Sequence, residues 1–174
     1  QSCENTVKSV KKLLGGIQID GYYELNMSEI PKLNNMVDGV TVTLEDDFSK
    51  KYPKMKKGAT INLDDEQAYA YVHDRYGVGD EENTSRMKRQ QQYMTGFFKK
   101  LQEKVKANPN YANEVFESLQ DVSTTDITIG KISNISNIFA SGTAKGIFEL
   151  AGKSKIGQAL GDEIDHMEFY VNKK

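Results

Sequence analysis

Apolar positions in the first 45 residues switch between helical and strand spacing. Residues 2–14 carry valines and leucines at helical spacing and predict a helix that ends at two glycines. Alternation over residues 17–26 predicts a strand, and Ser28, with Pro31 in the first turn, predicts a short helix. Val40–Leu44 alternates strictly and is the clearest strand. A strand, a helix and a strand in this order predict a βαβ crossover with two parallel strands.

The next segment, residues 48–62, is rich in lysine and contains Pro53 and Gly58, which is typical of an exposed loop or a short hairpin. Residues 50–57 read KKYPKMKK. A solvated loop is the simplest interpretation of this run, and a nucleic-acid contact is the alternative.

A second group of elements surrounds residues 75–90. Acidic residues from Asp64 onward predict the capped start of a helix that delivers Arg75 at its C-terminal end. Two glycines and an acidic loop from Asp80 to Ser85 follow, and then a long helix over residues 85–107. We expect its core stripe to consist of Met87, Met94, Phe98, Leu101 and Val105, with a mixed flank made of Arg86, Arg89, Gln90, Tyr93 and Phe97.

The remainder of the chain predicts shorter elements. Residues 111–119 and 125–139 have the spacing of amphipathic helices, whereas Ile147–Leu150 and Met167–Val171 read as short strands.

Length and charge limit the classes of function. A chain of 174 residues with 37% hydrophobic residues can form one domain with a core. Its formal net charge of −2 gives no basic field for nucleic acid. No apolar run is long enough to span a membrane. A single cysteine excludes an internal disulfide framework, and a start at Gln1 suggests a piece of a longer precursor.

The arginines are unevenly placed. The chain has only three, Arg75, Arg86 and Arg89, and all lie within one window of 15 residues. Arginine provides a planar fork suited to carboxylate or phosphate, whereas lysine is a flexible point charge. The window therefore predicts a small anion site, with Gln90 as a neutral donor.

Several chemistries can be weighed at this window. Two histidines and one cysteine are too few and too dispersed for a zinc site, and neither a nucleophile motif nor a phosphate-binding glycine loop occurs. A phosphate clamp is one interpretation, in which Asp80 orients an arginine, binds a cation or accepts a proton. Ordinary surface ion pairs with nearby acids are the other, and these acids are Glu66, Asp74, Glu81 and Glu82. Tyr93 and Phe97 could be either core residues or ligand contacts.

Specific motifs resemble a known family. Residues 61–75, INLDDEQAYAYVHDR, are followed by GD and by SRMKRQ, and residues 17–44 precede them. Together they resemble the LytR-CpsA-Psr family of cell-wall glycopolymer transferases. The resemblance implies a three-layer α/β/α sandwich with a mixed central sheet, a hydrophobic pocket for a polyprenyl chain, and arginines that grip its pyrophosphate. It implies Mg²⁺-assisted transfer of a teichoic acid or capsular polysaccharide to peptidoglycan.

The resemblance also implies roles for single residues. Arg75 and Asp80 would be catalytic, and the phosphate contacts would be Arg75, Arg86, Arg89, Gln90 and His73. His73 stands where the family usually has an arginine, which makes that contact weaker or dependent on pH.

Part of the family pattern is absent. Residues 1–174 would be the C-terminal portion of a single catalytic domain, with its N-terminal part missing. The Mg²⁺ ligands and a membrane anchor would then lie outside this chain, at the extracellular face of the cell membrane in a Gram-positive envelope. Two alternatives stay open: a non-catalytic protein that binds the lipid-linked glycan, and a cell-envelope transcriptional attenuator, which would need a more basic surface.

Overall fold

The computed structural model describes residues 2–143, 147, 150–158 and 161–172. The chain divides into two compact units, Gln1–Ala144 and Lys145–Lys174. In the first unit the helices are α1 (Ser2–Leu13), α2 (Ile30–Met36), α3 (Asp65–His73), α4 (Asn83–Ala107), α5 (Tyr111–Ser118) and α6 (Ile129–Ser141). Its strands are β1 (Tyr23–Leu25), β2 (Thr41–Thr43), β3 (Thr60–Asn62) and β4 (Ser123–Thr125). Short 3-10 helices occupy Met27–Glu29 and Gln120–Val122.

The second unit contains one hairpin, which confirms the strand predicted at Met167–Val171. Strand β5 (Gly152–Gly157) pairs antiparallel with β6 (His166–Val171). The strand predicted at Ile147–Leu150 lies partly outside the described residues, and its two described ends belong to no strand.

Helices and small sheets combine in the α/β class that the sequence predicts, but the strand pairing differs. All three described sheets are two-stranded and antiparallel, so the predicted mixed central sheet is not found among the described residues. The parallel βαβ prediction is wrong. Strand β1 pairs with β4, about 100 residues later, and β2 pairs with β3, which closes the lysine-rich segment. The partner of β1 lies far away in the chain, so local alternation does not identify it.

The core of the first unit forms where β2, α3 and α4 meet. Its buried apolar side chains come mainly from three segments: Val37, Val40, Val42 and Leu44; Leu63, Ala68, Tyr71 and Val72; and Tyr93 and Phe97. The buried amide of Asn34 joins α2 to this core. It accepts from Val40 N at 3.1 Å and from the Tyr93 hydroxyl at 3.3 Å, and it donates to Leu63 O at 2.9 Å. A buried polar group whose donors and acceptors are paired in this way fixes one arrangement of its neighbours.

The face of α4 that points inward agrees only in part with the one that its apolar periodicity predicts. Val105 is buried, and Met94 and Leu101 are partly buried against the core, but Met87 and Phe98 are 58% and 39% exposed. The predicted flank is buried instead, at Arg89, Tyr93 and Phe97. Gly96 lies on this face, and a Cβ there would be only 2.6 Å from Val40 Cγ1. The helix therefore approaches β2 through its glycine, and this contact decides its rotation.

The predicted helix over residues 125–139 begins later in the structure. Thr125 is the last residue of β4, where its Oγ1 donates to Tyr22 O at 2.6 Å. Helix α6 then starts at Ile129, and the Thr128 side chain caps it by accepting from Lys131 N. Because Thr125 pairs with β1, residues 125–128 precede the helix instead of forming its first turn.

Candidate functional site

Helix α3 positions the first arginine. Its N-terminus carries a capping box, in which Asp64 Oδ1 accepts from Gln67 N at 2.9 Å and Gln67 Oε1 accepts from Asp64 N at 3.1 Å. The helix ends at His73, and Asp74 is extended. The sequence predicts Arg75 at the C-terminal end of this helix, and in the structure Arg75 lies two residues beyond that end.

Arg89 is the centre of the site, although it does not face solvent. Its side chain is 2% exposed and forms an ion pair with Asp46, whose side chain is 14% exposed. Its Nε donates to Tyr71 O at 3.0 Å, and its Nη2 donates to Asp74 O. The guanidinium also lies over the Phe48 ring, 5.3 Å from its centroid. All three nitrogens of this guanidinium therefore donate within the protein, and the side chain is buried, which gives Arg89 a positioning role in this structure.

The loop between α3 and α4 is held against the same ion pair. Gly79 has a φ of 56°, and a Cβ on it would be 2.5 Å from Asp46 Oδ1, so the loop backbone lies directly on the Asp46 carboxylate. Glu81 is also left-handed, with a φ of 59°, and its Oε1 accepts from Gly77 N at 2.8 Å. The loop therefore has a defined conformation at the point where it precedes Asp80.

Asp80 orders the start of α4. Its carboxylate accepts from Glu82 N at 2.9 Å and from Ser85 Oγ at 2.8 Å. The Glu82 amide and then the Ser85 hydroxyl lower the pKa of Asp80 below its ordinary value. An exposed carboxylate with these two donors is ionised at neutral pH and is a weak base.

Arg75 and Arg86 lie on either side of this loop and are both partly exposed. The Arg75 guanidinium stacks on the Tyr76 ring, 4.4 Å from its centroid, and donates to the Tyr76 hydroxyl. Arg86 Nη2 donates to Asn83 Oδ1 at 2.7 Å, but its enclosed Nε has no hydrogen-bond partner. Among the described residues, neither guanidinium forms an ion pair with a carboxylate.

This result bears on the surface ion-pair interpretation. No described ion pair joins an arginine to Glu66, Asp74, Glu81 or Glu82, and the carboxylate of Asp74 pairs instead with Lys51 and His73. The only arginine in a described ion pair is Arg89, and its partner is Asp46. The window therefore contains one buried, paired guanidinium and two partly exposed guanidiniums without a carboxylate partner in the described part of the chain.

The other predicted contacts lie next to this window. Gln90 Nε2 donates to Val72 O at 2.9 Å, which ties α4 to the last turn of α3. His73 is half exposed and stacks on Tyr69 with ring centroids 4.8 Å apart, while its Nδ1 lies 3.2 Å from Asp74 Oδ1. Tyr93 and Phe97 are buried, so they belong to the core.

Two important residues were missed by reasoning from the sequence. Asp46 stands in the acidic run Glu45-Asp46-Asp47, which the sequence indicates only as the end of a strand. Asn34 lies inside a short helix and carries no motif. The one available signal for Asp46 was the run itself, because three successive acids after a buried strand place one of them near the core edge.

Two described cavities lie away from the arginines, and the expected lipid pocket stays a prediction. A groove of about 520 Å³ is lined by residues that include Asp38, Asp64, Asp65 and Glu66. A second of about 230 Å³ is lined by residues that include Val7, Ile19 and Tyr22, and none of the arginines lines either one. Among the described residues, no three His, Cys, Asp or Glu side chains are grouped so that they could hold a metal ion. None of the helices in the described ranges has the length and apolar character that a membrane crossing requires.

Comparisons with known proteins agree on the fold. A transcriptional regulator from Enterococcus faecalis is 22% identical, with a TM-score of 0.72 over 96% of this chain and 59% of its own. Bacillus subtilis TagV is 21% identical, with a TM-score of 0.66 over 97% of this chain and 64% of its own. TagT bound to LI-WTA is 18% identical, with a TM-score of 0.66 over 95% of this chain and 60% of its own. None of the curated protein sequences matches the chain.

The chain thus spans about three fifths of the length of these solved structures. The model of the LytR_cpsA_psr family matches residues 3–173, which is nearly the whole chain. The motifs around the arginine window, the fold and this match lead to one conclusion: the chain belongs to the LytR-CpsA-Psr family.

Proposed function

We propose that this chain supplies the phosphate-binding part of a phosphotransferase that attaches a polyprenyl-pyrophosphate-linked glycopolymer to peptidoglycan. Family membership and the solved TagT complex with LI-WTA support the class of substrate. One observation in the site carries the proposal: Arg75 and Arg86 flank an ordered loop without a carboxylate partner among the described residues, and the enclosed Nε of Arg86 is unpaired. A guanidinium without a carboxylate partner can donate charge-assisted hydrogen bonds to a phosphate anion.

Arg75 and Arg86 would act together on the pyrophosphate. Phosphoryl transfer is catalysed mainly by positioning and by cations placed where negative charge develops on the phosphate oxygens. Arg75 comes from the end of α3 and Arg86 from the first turn of α4. Two guanidiniums from different elements can contact different oxygens of one pyrophosphate, and neither needs to leave an ion pair first.

The remaining predicted residues would have supporting roles. Asp80 has a lowered pKa and would hold Ser85 and the start of α4, while its predicted catalytic role stays a prediction. Arg89 and Gln90 would hold α4 against α3 through carbonyl groups. His73 stays a predicted phosphate contact, and its Nδ1 lies 3.2 Å from Asp74 Oδ1.

The proposal places the protein at the extracellular face of the cell membrane, with an anchor and the Mg²⁺ ligands outside this chain. Because the described residues contain no group that could hold a metal, we assign no step of the reaction to Mg²⁺. Peptidoglycan would be the acceptor.

Binding of a short-chain polyprenyl pyrophosphate, measured by calorimetry, tests the proposal. We expect Arg75→Ala and Arg86→Ala each to weaken binding about tenfold or more, because each removes charge-assisted hydrogen bonds. Lys88→Ala is the matched control, since it removes one exposed cation from the same helix. Equal affinities for all four proteins would reject the proposal.

A non-catalytic protein that binds the same lipid-linked glycan is the second candidate. The lowered pKa of Asp80 favours it, because a weak base is poorly suited to accept the proton of an attacking hydroxyl. An assay of glycan transfer to peptidoglycan, run with the protein and with its Asp80→Asn variant, distinguishes the transferase from the binding protein. Glycan binding without any transfer in the presence of Mg²⁺ would identify the binding protein.

A further inference from the structure

We infer that the segment from residue 45 to residue 58, here called the lysine loop, binds the anionic repeat units of the glycopolymer. This inference rests on the proposed function and narrows its substrate to a polymer with phosphodiester charges. The loop contains five exposed lysines, Lys50, Lys51, Lys54, Lys56 and Lys57. No other segment of eight residues in the chain carries as many cations.

The backbone of the lysine loop is ordered in advance of binding. Phe48 N donates to Met55 O at 2.9 Å, Met55 N donates to Tyr52 O at 2.8 Å, and Gly58 N donates to Leu44 O at 2.7 Å. Phe48 and Met55 are buried in the core, at 3% and 0% exposure. The lysines therefore extend from a fixed frame, so binding an anion orders side chains without also ordering the backbone.

Direct contacts join the lysine loop to the arginine window. The Phe48 ring lies 5.3 Å from the Arg89 guanidinium and 5.8 Å from the Tyr71 ring. Lys51 Nζ lies 3.3 Å from Asp74 Oδ2, and Asp74 immediately precedes Arg75. A polymer whose terminal pyrophosphate is held at Arg75 would therefore begin beside these lysines.

The nearby acids neutralise the lysine loop only in part, although Glu45 is exposed within it and Asp47 interacts electrostatically with Lys56. Asp46 is paired with Arg89, and Asp47 accepts from Ser49 N at 2.8 Å and from Ser49 Oγ at 2.5 Å. Lys51 is the one lysine of the loop in a described ion pair, and Asp74 is its partner. In the part of the chain that the structure describes, the remaining four form no ion pair: Lys50, Lys54, Lys56 and Lys57.

The composition of the lysine loop favours a phosphodiester glycan over a membrane. Surface segments that bind membranes combine cations with exposed apolar side chains that enter the interface. Here the apolar side chains Phe48 and Met55 are buried and Tyr52 is half-buried, so the exposed side chains of the lysine loop are mainly charged. Closely spaced cations without a large exposed apolar side chain match a flexible chain of regularly spaced phosphates.

The test compares two triple variants of the 174-residue chain. The loop variant carries Lys54→Gln, Lys56→Gln and Lys57→Gln, and it leaves the Lys51 ion pair intact. The control variant removes three exposed cations from α1 by Lys8→Gln, Lys11→Gln and Lys12→Gln. Binding is measured for poly(glycerol phosphate), for neutral dextran of matched length, for phosphatidylglycerol vesicles and for the short-chain polyprenyl pyrophosphate.

We expect the loop variant to bind poly(glycerol phosphate) about tenfold more weakly than the wild type, because three exposed pairs each contribute a small amount. The control variant should retain wild-type affinity, dextran should not bind, and wild-type binding should weaken as NaCl rises from about 50 mM to about 200 mM. Equal polymer affinity of the two variants would overturn the inference. If the loop variant loses more affinity for the vesicles than for the polymer, the inference is overturned in favour of a membrane surface.

The polyprenyl pyrophosphate arm separates this inference from the proposed function. Loss of polymer affinity with unchanged pyrophosphate binding in the loop variant supports both. If the wild type binds pyrophosphate but the loop lysines do not affect the polymer, only the inference fails. If the wild type binds no pyrophosphate, the proposed function fails, and with it the inference.

Discussion

Replacing Asp46 by alanine should destabilise the protein far more than replacing its exposed neighbour. Asp46 is the only carboxylate in a described ion pair with the buried Arg89 guanidinium, which is 2% exposed. Leaving one member of a buried ion pair without its partner costs about 3 to 5 kcal/mol. Arg89 keeps its bonds to Tyr71 O and Asp74 O, and the Asp46 side chain is 14% exposed, so water can reach the vacated position. We therefore expect a loss of about 2 to 3 kcal/mol in the free energy of unfolding.

Urea denaturation followed by circular dichroism measures this loss, and thermal unfolding should show a midpoint lower by about 5 to 10 °C. Glu45→Ala is the control, because Glu45 is the exposed acid one residue earlier. The double variant Asp46→Leu with Arg89→Met removes both charges and should be at least as stable as Asp46→Ala. If Asp46→Ala and Glu45→Ala lower stability equally, the reasoning about the buried pair is wrong.

Two further variants examine the loop that lies on this pair. Gly79→Ala should lower the free energy of unfolding by about 1 kcal/mol more than Gly77→Ala, because both glycines have positive φ but only at Gly79 would a Cβ meet the Asp46 carboxylate; equal losses would show that the contact is not made. The hydrogen bonds from Glu82 N and Ser85 Oγ hold the pKa of Asp80 in the folded protein below its ordinary value. The stabilisation that they give is therefore present above the ordinary pKa and is lost as the pH falls through the folded-state pKa. Urea denaturation between about pH 2 and pH 5 should therefore show a shallower loss of stability for Asp80→Asn than for the wild type, and parallel curves would contradict the hydrogen bonds assigned to Asp80.

Elements with local signals were predictable from the sequence, whereas those decided by distant partners were not. The acidic start at Asp64 and the long periodic run of α4 are local signals, and the structure has helices at both places. Helix α4 nevertheless begins at Asn83, two residues before the predicted start, and has no side-chain cap. Strand β1 has no local information about β4, so its pairing was predicted wrongly. The face of α4 was also misjudged, because an arginine counts as a surface residue until its buried partner is known, and Asp46 lies 43 residues before Arg89.

The same limit applies to the candidate site. Three arginines in one window predict an anion site, which stays a prediction, and the sequence could not divide them into one buried and two partly exposed side chains. The burial of Arg89 depends on Asp46 and on the carbonyl groups of Tyr71 and Asp74. No sequence motif links these three residues to Arg89.

This division explains why position 89 requires an arginine. The three nitrogens of the Arg89 guanidinium donate to three separate acceptors. The single ammonium group of a lysine cannot reproduce that planar arrangement. One of the acceptors, the Asp74 carbonyl, immediately precedes Arg75, while the Asp46 carboxylate supports the backbone at Gly79. The buried ion pair therefore contacts the backbone at Asp74 and at Gly79, near the start and within the segment that joins the two partly exposed arginines. Stability and the placement of the proposed phosphate ligands thus depend on one ion pair, so a variant that weakens the pair should also weaken pyrophosphate binding.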